Sequence, residues 1–193
     1  MRKLILEEWM SLDGYVAERD GKLDFFTSLT PEQNTYSDED QVRFLQTVDT
    51  ILLGRKTYEL FVDFWPNATT KEEAVADKLN ETRKINFSNT LLNAPWGKWP
   101  PAEIIGGDAT TTIKHLKSLP GKNIVVWGSI TLAQELMKQD LIDEYHIQLC
   151  PVLTGGGTSL FTGKVNPKNL TLIEVRQYNT GTVFLNYQST TNK

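Results

Sequence analysis

Cysteine occurs once, at Cys150, and histidine twice, at His115 and His146, in a chain of 193 residues. A single thiol excludes an intramolecular disulfide, and so small a Cys/His inventory excludes a zinc cluster of ordinary ligand spacing. No apolar run approaches the roughly 20 residues needed to cross a bilayer. The opening Met1-Arg2-Lys3-Leu4-Ile5-Leu6-Glu7-Glu8 is broken by two glutamates before the apolar stretch of a leader can form, and it reads as a first strand. Positive charge is nowhere concentrated: the net charge is −4 and the basic residues are scattered. That argues against a nucleic-acid surface while allowing one local phosphate pocket. The G-x-G-x-x-G of a dinucleotide-binding turn is missing, as is the His-x-Glu with Pro-Cys-x-x-Cys of a zinc deaminase. What remains is the pattern of a cytoplasmic, metal-free protein that acts on a small molecule. Its hydrophobic fraction of 39 % is ordinary for a globular chain, and residues 1–193 are expected to form one domain burying about 70 % of its unfolded surface.

Strand-like and helix-like pieces alternate along most of the chain, which predicts an α/β fold with a largely parallel sheet. Arg2 to Met10 reads as the first strand, and residues 11–27 as a long loop leaving its carboxyl end, where open α/β sheets bind ligands. Thr30 and Pro31 offer a helix start, and Asp38 to Val48 puts Val42, Leu45 and Val48 on one helical face, with Asp38, Glu39 and Asp40 in its first turn. Thr50 to Leu53 is a short apolar run consistent with a buried strand, followed by Gly54-Arg55-Lys56-Thr57 at the turn into a helix from about Lys56 to Phe64. A helix N-terminus there presents unpaired N–H groups, and Arg55 and Thr57 add donors, so the junction is a natural anion site. An acidic helix is expected from about Lys71 to Asn80. Arg83 to Phe87 follows as a strand ending in Ser88-Asn89-Thr90, donors of the kind that suit a ribose 2′-phosphate. Trp96 and Trp99 read as packing anchors. After a short strand at Glu103 to Ile105 and a helix at Thr112 to Leu119, Ile124-Val125-Val126-Trp127 is a buried strand. It leads through Gly128-Ser129 into a helix whose Ile130, Ala133, Leu136 and Met137 share a face, a second strand-Gly-helix junction. The last third changes character. Glu144 to Val152, Leu170 to Tyr178 and Thr182 to Tyr187 read as antiparallel strands at one sheet edge, the last two joined by a tight hairpin at Asn179-Thr180-Gly181.

Several motifs in order resemble the dihydrofolate reductase superfamily, and more closely its branch shared with the C-terminal reductase domain of the bifunctional riboflavin-biosynthesis enzyme RibD. They are Ser11-Leu12-Asp13-Gly14-Tyr15-Val16-Ala17, Leu53-Gly54-Arg55-Lys56-Thr57-Tyr58-Glu59, Phe87-Ser88-Asn89-Thr90, Trp127-Gly128-Ser129, and Leu141-Ile142-Asp143-Glu144 leading to Pro151-Val152-Leu153 and Gly155-Gly156-Gly157-Thr158-Ser159-Leu160-Phe161. The likeness runs from about Met1 to Tyr187. It implies a dihydrofolate reductase-like central sheet, mostly parallel and flanked by helices, and an NADPH-dependent reductase. Carried over by residue, Gly54, Arg55, Lys56 and Thr57 would hold cofactor phosphates, and Ser88, Asn89 and Thr90 would surround the adenosine 2′-phosphate. Gly128, Ser129 and Ile130 would offer backbone N–H groups to the pyrophosphate, while Val16, Ala17 and the backbone of Trp9 would border the nicotinamide. Trp127 stands where folate enzymes carry the first glycine of a pair.

On the substrate side, reduction of a C=N bond is helped by protonating the nitrogen, which calls for a carboxylic acid or an ordered water. By its spacing to Phe44, Asp40 matches the acid of folate reductases best, with Asp38 and Glu39 as alternatives. A pteridine or a ribosylamino-pyrimidine is the substrate type the resemblance implies; Arg19 and Lys22 are the nearby basic residues for a substrate phosphate. Asp13 and Asp24 read as turn residues, and His115 and His146 as a surface helix residue and a strand residue. The tail strands with Cys150, Val152 and Phe161 offer a homodimer surface.

Overall fold

In the computed structural model, residues 1–27, 31–162 and 167–190 are described. The elements in chain order are β1 (Leu4–Ser11), β2 (Tyr15–Ala17), α1 (Asp24–Thr27), α2 (Pro31–Gln46), β3 (Val48–Gly54), α3 (Arg55–Phe64), α4 (Ala76–Glu81), β4 (Arg83–Phe87), β5 (Glu103–Ile105), α5 (Ala109–Ser118), β6 (Asn123–Trp127), α6 (Ile130–Lys138), β7 (Glu144–Cys150), β8 (Thr158–Ser159), β9 (Leu170–Gln177) and β10 (Val183–Ser189). Eight strands form one sheet in the order β5-β4-β3-β6-β1-β7-β10-β9, and β2 pairs with β8 in a small second sheet. The main sheet is parallel from β5 to β7, and β10 and β9 close it as an antiparallel edge. The fold is therefore the mixed, mostly parallel α/β sheet that the sequence predicts.

The apolar runs explain the layering. Ile51, Leu52 and Leu53 of β3, and Ile124, Val125 and Val126 of β6, are all buried, as expected for strands covered on both faces. On one face, Leu52, Ile124 and Val126 pack with Ile113 and Leu116 of α5 and with Ala133, Leu136 and Met137 of α6. On the other, Ile51, Leu53 and Val125 pack with Leu45 of α2, Tyr58 of α3 and Leu79 of α4. Trp96 is fully buried in this second layer and donates its indole N–H to Asn80 Oδ1 at 2.6 Å, the anchoring role its composition suggests.

Among the elements that differ from expectation, four bear on the layout of the chain. Val48 opens β3 instead of closing the helix, because Thr47 turns back onto Phe44 O through both its backbone N–H (2.8 Å) and its hydroxyl (2.7 Å). Helix α2 begins at Pro31, so Asp38, Glu39 and Asp40 lie in its middle and do not meet the N-terminal dipole. The helix expected over 71–80 is confined to Ala76–Glu81. Upstream of it, Glu72 folds back on Thr69, accepting from its N–H at 3.0 Å and its hydroxyl at 2.9 Å, a local bond that competes with a regular helix. Within the predicted 11–27 loop, Tyr15–Ala17 becomes a strand because Thr158–Ser159, beyond the triple glycine, supplies a partner.

The edge is also different in detail. Cys150 is buried, and burial pushes its thiol up to about 12, so it belongs to the interior and not to a docking surface. The exposed apolar side chains of the edge include Leu170, Leu172, Ile173 and Val175 on β9, and Phe161 is exposed as well.

Candidate cofactor crevice

Strands β4, β3 and β6 lie side by side in parallel, so Ser88, Gly54 and Gly128 all emerge at one edge of the sheet. This is the strand-end crevice where open α/β sheets bind ligands. Helices α3 and α6 begin immediately after β3 and β6, and neither has a side-chain cap on its N-terminus. Their first-turn N–H groups therefore remain available to an anion, backed by the positive end of each helix dipole.

A short hydrogen-bond circuit locks the two junctions together. The Gly54 N–H donates to Ser129 Oγ at 2.6 Å, and the Ser129 N–H donates to Thr57 Oγ1 at 2.9 Å. Ser129 is itself left-handed, with φ 63°, which is uncommon for a residue bearing a side chain. Those two bonds hold it there. Gly128, at φ 60°, has no room for anything larger: an added Cβ would sit 2.9 Å from Thr57 Cγ2. The Trp127 ring is turned away from the crevice and packs edge-on to Phe61, 6.1 Å between centroids. The same ring also packs against Trp65, 6.3 Å between centroids, within the layer on the α3 side of the sheet.

The neighbouring wall is equally ordered. Ser88 Oγ accepts from the N–H groups of Thr90 (3.2 Å) and Leu91 (3.0 Å), and Asn89 Oδ1 accepts from the Gly107 N–H at 2.7 Å. Gly106 and Gly107, which follow β5, thus join the crevice beyond the residues to which the motifs point. Their signal was a Gly-Gly pair between a strand and a helix capped by Asp108, whose carboxylate accepts from the N–H groups of Thr110 and Thr111. Arg55 and Lys56 are exposed at the start of α3, with Arg55 held 2.7 Å from Glu59.

At the carboxyl end of β1, Trp9 is half-buried and Val16 is packed in the core, while Ala17 lies on β2. Asp13 accepts from Gly155 N–H at 2.8 Å and Thr154 N–H at 3.2 Å, and Ser11 donates its hydroxyl to it at 2.6 Å. These bonds hold the Asp13 carboxyl below its usual range, the Ser11 contact most of all. Arg19 donates to Gly155 O at 2.6 Å and Lys22 pairs with Asp20 at 2.9 Å, so both basic candidates for a substrate phosphate are engaged within the loop.

The candidate acids of α2 part company, and Glu39 is exposed beside Arg43 at 3.8 Å. Asp40 meets Arg43 and Arg176 and accepts from the Tyr178 hydroxyl at 2.8 Å. Those three partners turn it to the antiparallel edge, where Arg176 and Tyr178 sit, away from the crevice junctions. Asp38 lies on another side of the helix, facing Glu73, and burial raises its carboxyl above the ordinary value. Helix register places it about one turn closer to the strand carboxyl ends than Gln41, whose amide is fixed to Glu7 Oε1 at 2.6 Å.

Residues 2–184 match the model of the RibD C-terminal domain. The chain belongs to that family. Among curated relatives it is 32 % identical over 179 residues to the uncharacterized protein YwjB of Bacillus subtilis, covering 92 % of each chain. The fold is shared with a putative riboflavin biosynthesis protein from Shewanella sp. PV-4, at TM-score 0.77, 24 % identity and coverage of 98 % of this chain and 99 % of that one. It is shared as well with dihydrofolate reductase from Enterococcus faecalis complexed with NADP(H), at TM-score 0.58, 14 % identity and coverage of 97 % and 96 %. This RibD-type chain therefore has a reductase fold. Among the described residues no helix is long and apolar enough to cross a membrane.

Proposed function

We propose that this RibD-family chain is an NADPH-dependent reductase of a pteridine or ribosylamino-pyrimidine type of substrate. The observation that carries the reading is the convergence of two uncapped helix N-termini on the Gly54–Ser129–Thr57 circuit, beside the hydroxyl- and amide-lined end of β4. Such a site fits a dinucleotide: the α3 and α6 N–H groups and Thr57 suit its phosphates, and Arg55 with Ser88, Asn89 and Thr90 suits a 2′-phosphate. A reduced nicotinamide bound there supplies the hydride. Trp9, Val16 and Ala17 would border its ring. Asp38 is the proton donor of this reading, since burial raises its carboxyl above the ordinary value. The exposed β9 edge with Leu172, Ile173 and Val175 is where a homodimer would form, and a cytoplasmic location accords with the reading.

Fluorescence titration of wild type and Arg55→Ala with NADPH and NADH tests the crevice. A preference for NADPH that is weakened by raising salt and reduced roughly 10- to 100-fold in the variant is expected from loss of a charge-assisted phosphate contact. Absence of nucleotide binding would sink the reductase reading.

The acid is tested by turnover with dihydropterin and ribosylamino-pyrimidine substrates. Asp38→Asn is expected to lower kcat roughly 100-fold or more with NADPH affinity retained. Asp40→Asn should appear chiefly as a lower Tm, since it breaks the contacts to Arg43, Arg176 and Tyr178. A normal kcat for Asp38→Asn would remove it from the chemistry.

A further inference from the structure

Asp13 follows β1 in an Asp-Gly turn, where a carboxylate ordinarily bonds to backbone a residue or two away. Here it is spent on a segment 141 residues further along the chain. Its Oδ1 accepts from the Thr154 N–H at 3.2 Å and the Thr154 hydroxyl at 3.4 Å, and its Oδ2 from the Gly155 N–H at 2.8 Å, while the Ser11 hydroxyl donates to Oδ1 at 2.6 Å. Every one of these partners is a donor.

Ser11 passes the anchorage on. It is fully buried, and while its hydroxyl proton goes to Asp13, its oxygen accepts from the Tyr15 N–H at 3.0 Å. Tyr15 opens β2, a strand of three residues whose partner β8 has two. A ladder that short does not hold itself in place, so its position depends on what it is tied to. On one side the Gln134 amide of α6 donates to Ser159 O at 3.0 Å and Leu160 O at 3.4 Å. On the other stands the Asp13 carboxylate, with the Leu12 N–H donating to Val152 O at 2.9 Å beside it.

Val16 and Ala17 of β2 belong to the proposed nicotinamide end of the crevice, whereas the phosphate donors lie on α3, α6 and the end of β4. We infer that Asp13 is a positioning residue for the nicotinamide half of the cofactor: without touching the nucleotide, it sets the place of Val16 and Ala17 by tying the turn after β1 to Thr154 and Gly155. The role rests on the NADPH reading of the crevice.

The test compares NADPH with 2′-phospho-ADP-ribose, the same dinucleotide without its nicotinamide, by isothermal titration calorimetry on the full chain. Asp13→Asn keeps the size of the side chain but sets an amide N–H₂ against a donor that the carboxylate had accepted. NADPH binding is expected to weaken about tenfold, from loss of a charge-assisted bond, and 2′-phospho-ADP-ribose binding by less than about twofold. Ser11→Ala removes the link to Tyr15 without adding a donor and should weaken NADPH alone by about threefold. Circular dichroism and Tm establish that each variant is folded at the assay temperature. A general loss of structure would weaken both ligands alike, and that result, or unchanged NADPH binding in both folded variants, would overturn the inference. So would equal binding of the two ligands to wild type, since nothing would then be gained at the nicotinamide end. Wild type binding neither ligand would remove the cofactor reading itself, and the positioning role with it.

Discussion

Replacing Gly157 with alanine is expected to lower Tm by roughly 6–12 °C, the equivalent of about 3 kcal/mol for a chain of this size. Gly157 sits at φ 146°, and a Cβ there would lie 1.9 Å from the carbonyl oxygen of Ala17. Real Cβ atoms do not approach a backbone oxygen so closely, and unlike a side-chain end a backbone carbonyl has no rotamer by which to yield. Relief must come from pulling β2 away from β8, and with it the segment from Ser11 to Arg19. That segment is fastened at several points: Asp13 to the N–H groups of Thr154 and Gly155, Arg19 to Gly155 O, and Tyr15 and Ala17 to Ser159 and Thr158. The left-handed φ adds a cost of order 1–3 kcal/mol for a residue with a side chain. The variant is expected to be cut by trypsin at Arg19 and Lys22 faster than wild type, since both are exposed and the loop around them is released. An unchanged Tm with unchanged cleavage would mean that β2 is not held by the glycine run. Because Val16 and Ala17 border the proposed nicotinamide position, the same variant links the stability of a strap to the crevice it covers.

Stability is expected to fall between pH 5 and pH 7, where most proteins change little. Glu7 and Glu8 are consecutive, and both are buried. Burial pushes Glu7 up to about 7, with His146 and the Gln41 amide pulling the other way, and burial together with the charge of Glu7 raises Glu8 well above its ordinary value. In the unfolded chain both lose their protons near 4.5, while the folded chain still holds them. Over that window the folded state binds more protons, so stability decreases as pH rises and is greatest below the unfolded value. For Glu7, pushed up to about 7, this amounts to about 3 kcal/mol, fully felt once pH passes 7; Glu8 adds in the same direction. Lys84, which burial pushes down to about 7, changes its contribution only above that value, so the glutamates govern the range below it. Urea denaturation at pH 5 and pH 7 checks the expectation. Glu7→Gln and Glu8→Gln should flatten the difference, and a wild-type profile that is level or rising would remove buried protonated acids from the account.

How much of this was legible beforehand depended on the range of the interactions involved. The strands β3 and β6, the strand-to-helix turns at Gly54 and Gly128, and the antiparallel tail are written in local patterns: unbroken apolar runs for strands covered on both faces, glycine where the chain must turn sharply, and a tight hairpin between the last two strands. Those patterns are decided by the sequence itself, because the residues that create them are neighbours in the chain. Ordered motifs likewise pointed to the family, and through it to Arg55, Thr57, Ser88, Asn89, Thr90 and Ser129.

What only the tertiary structure decided involves partners far apart in sequence. That β2 is a strand depends on Thr158–Ser159 lying against it. That Asp40 is spent on the edge depends on Arg176 and Tyr178, more than 130 residues away, while Asp38 three-fifths of a turn from it faces Glu73. His146, a plain strand residue in sequence, lies buried between Phe44 and Phe184 above a polar floor because α2 crosses β7 there. Periodicity tells which face of an element is apolar, but not which distant charge will meet a polar group on that face. That is fixed by how the helices settle on the sheet.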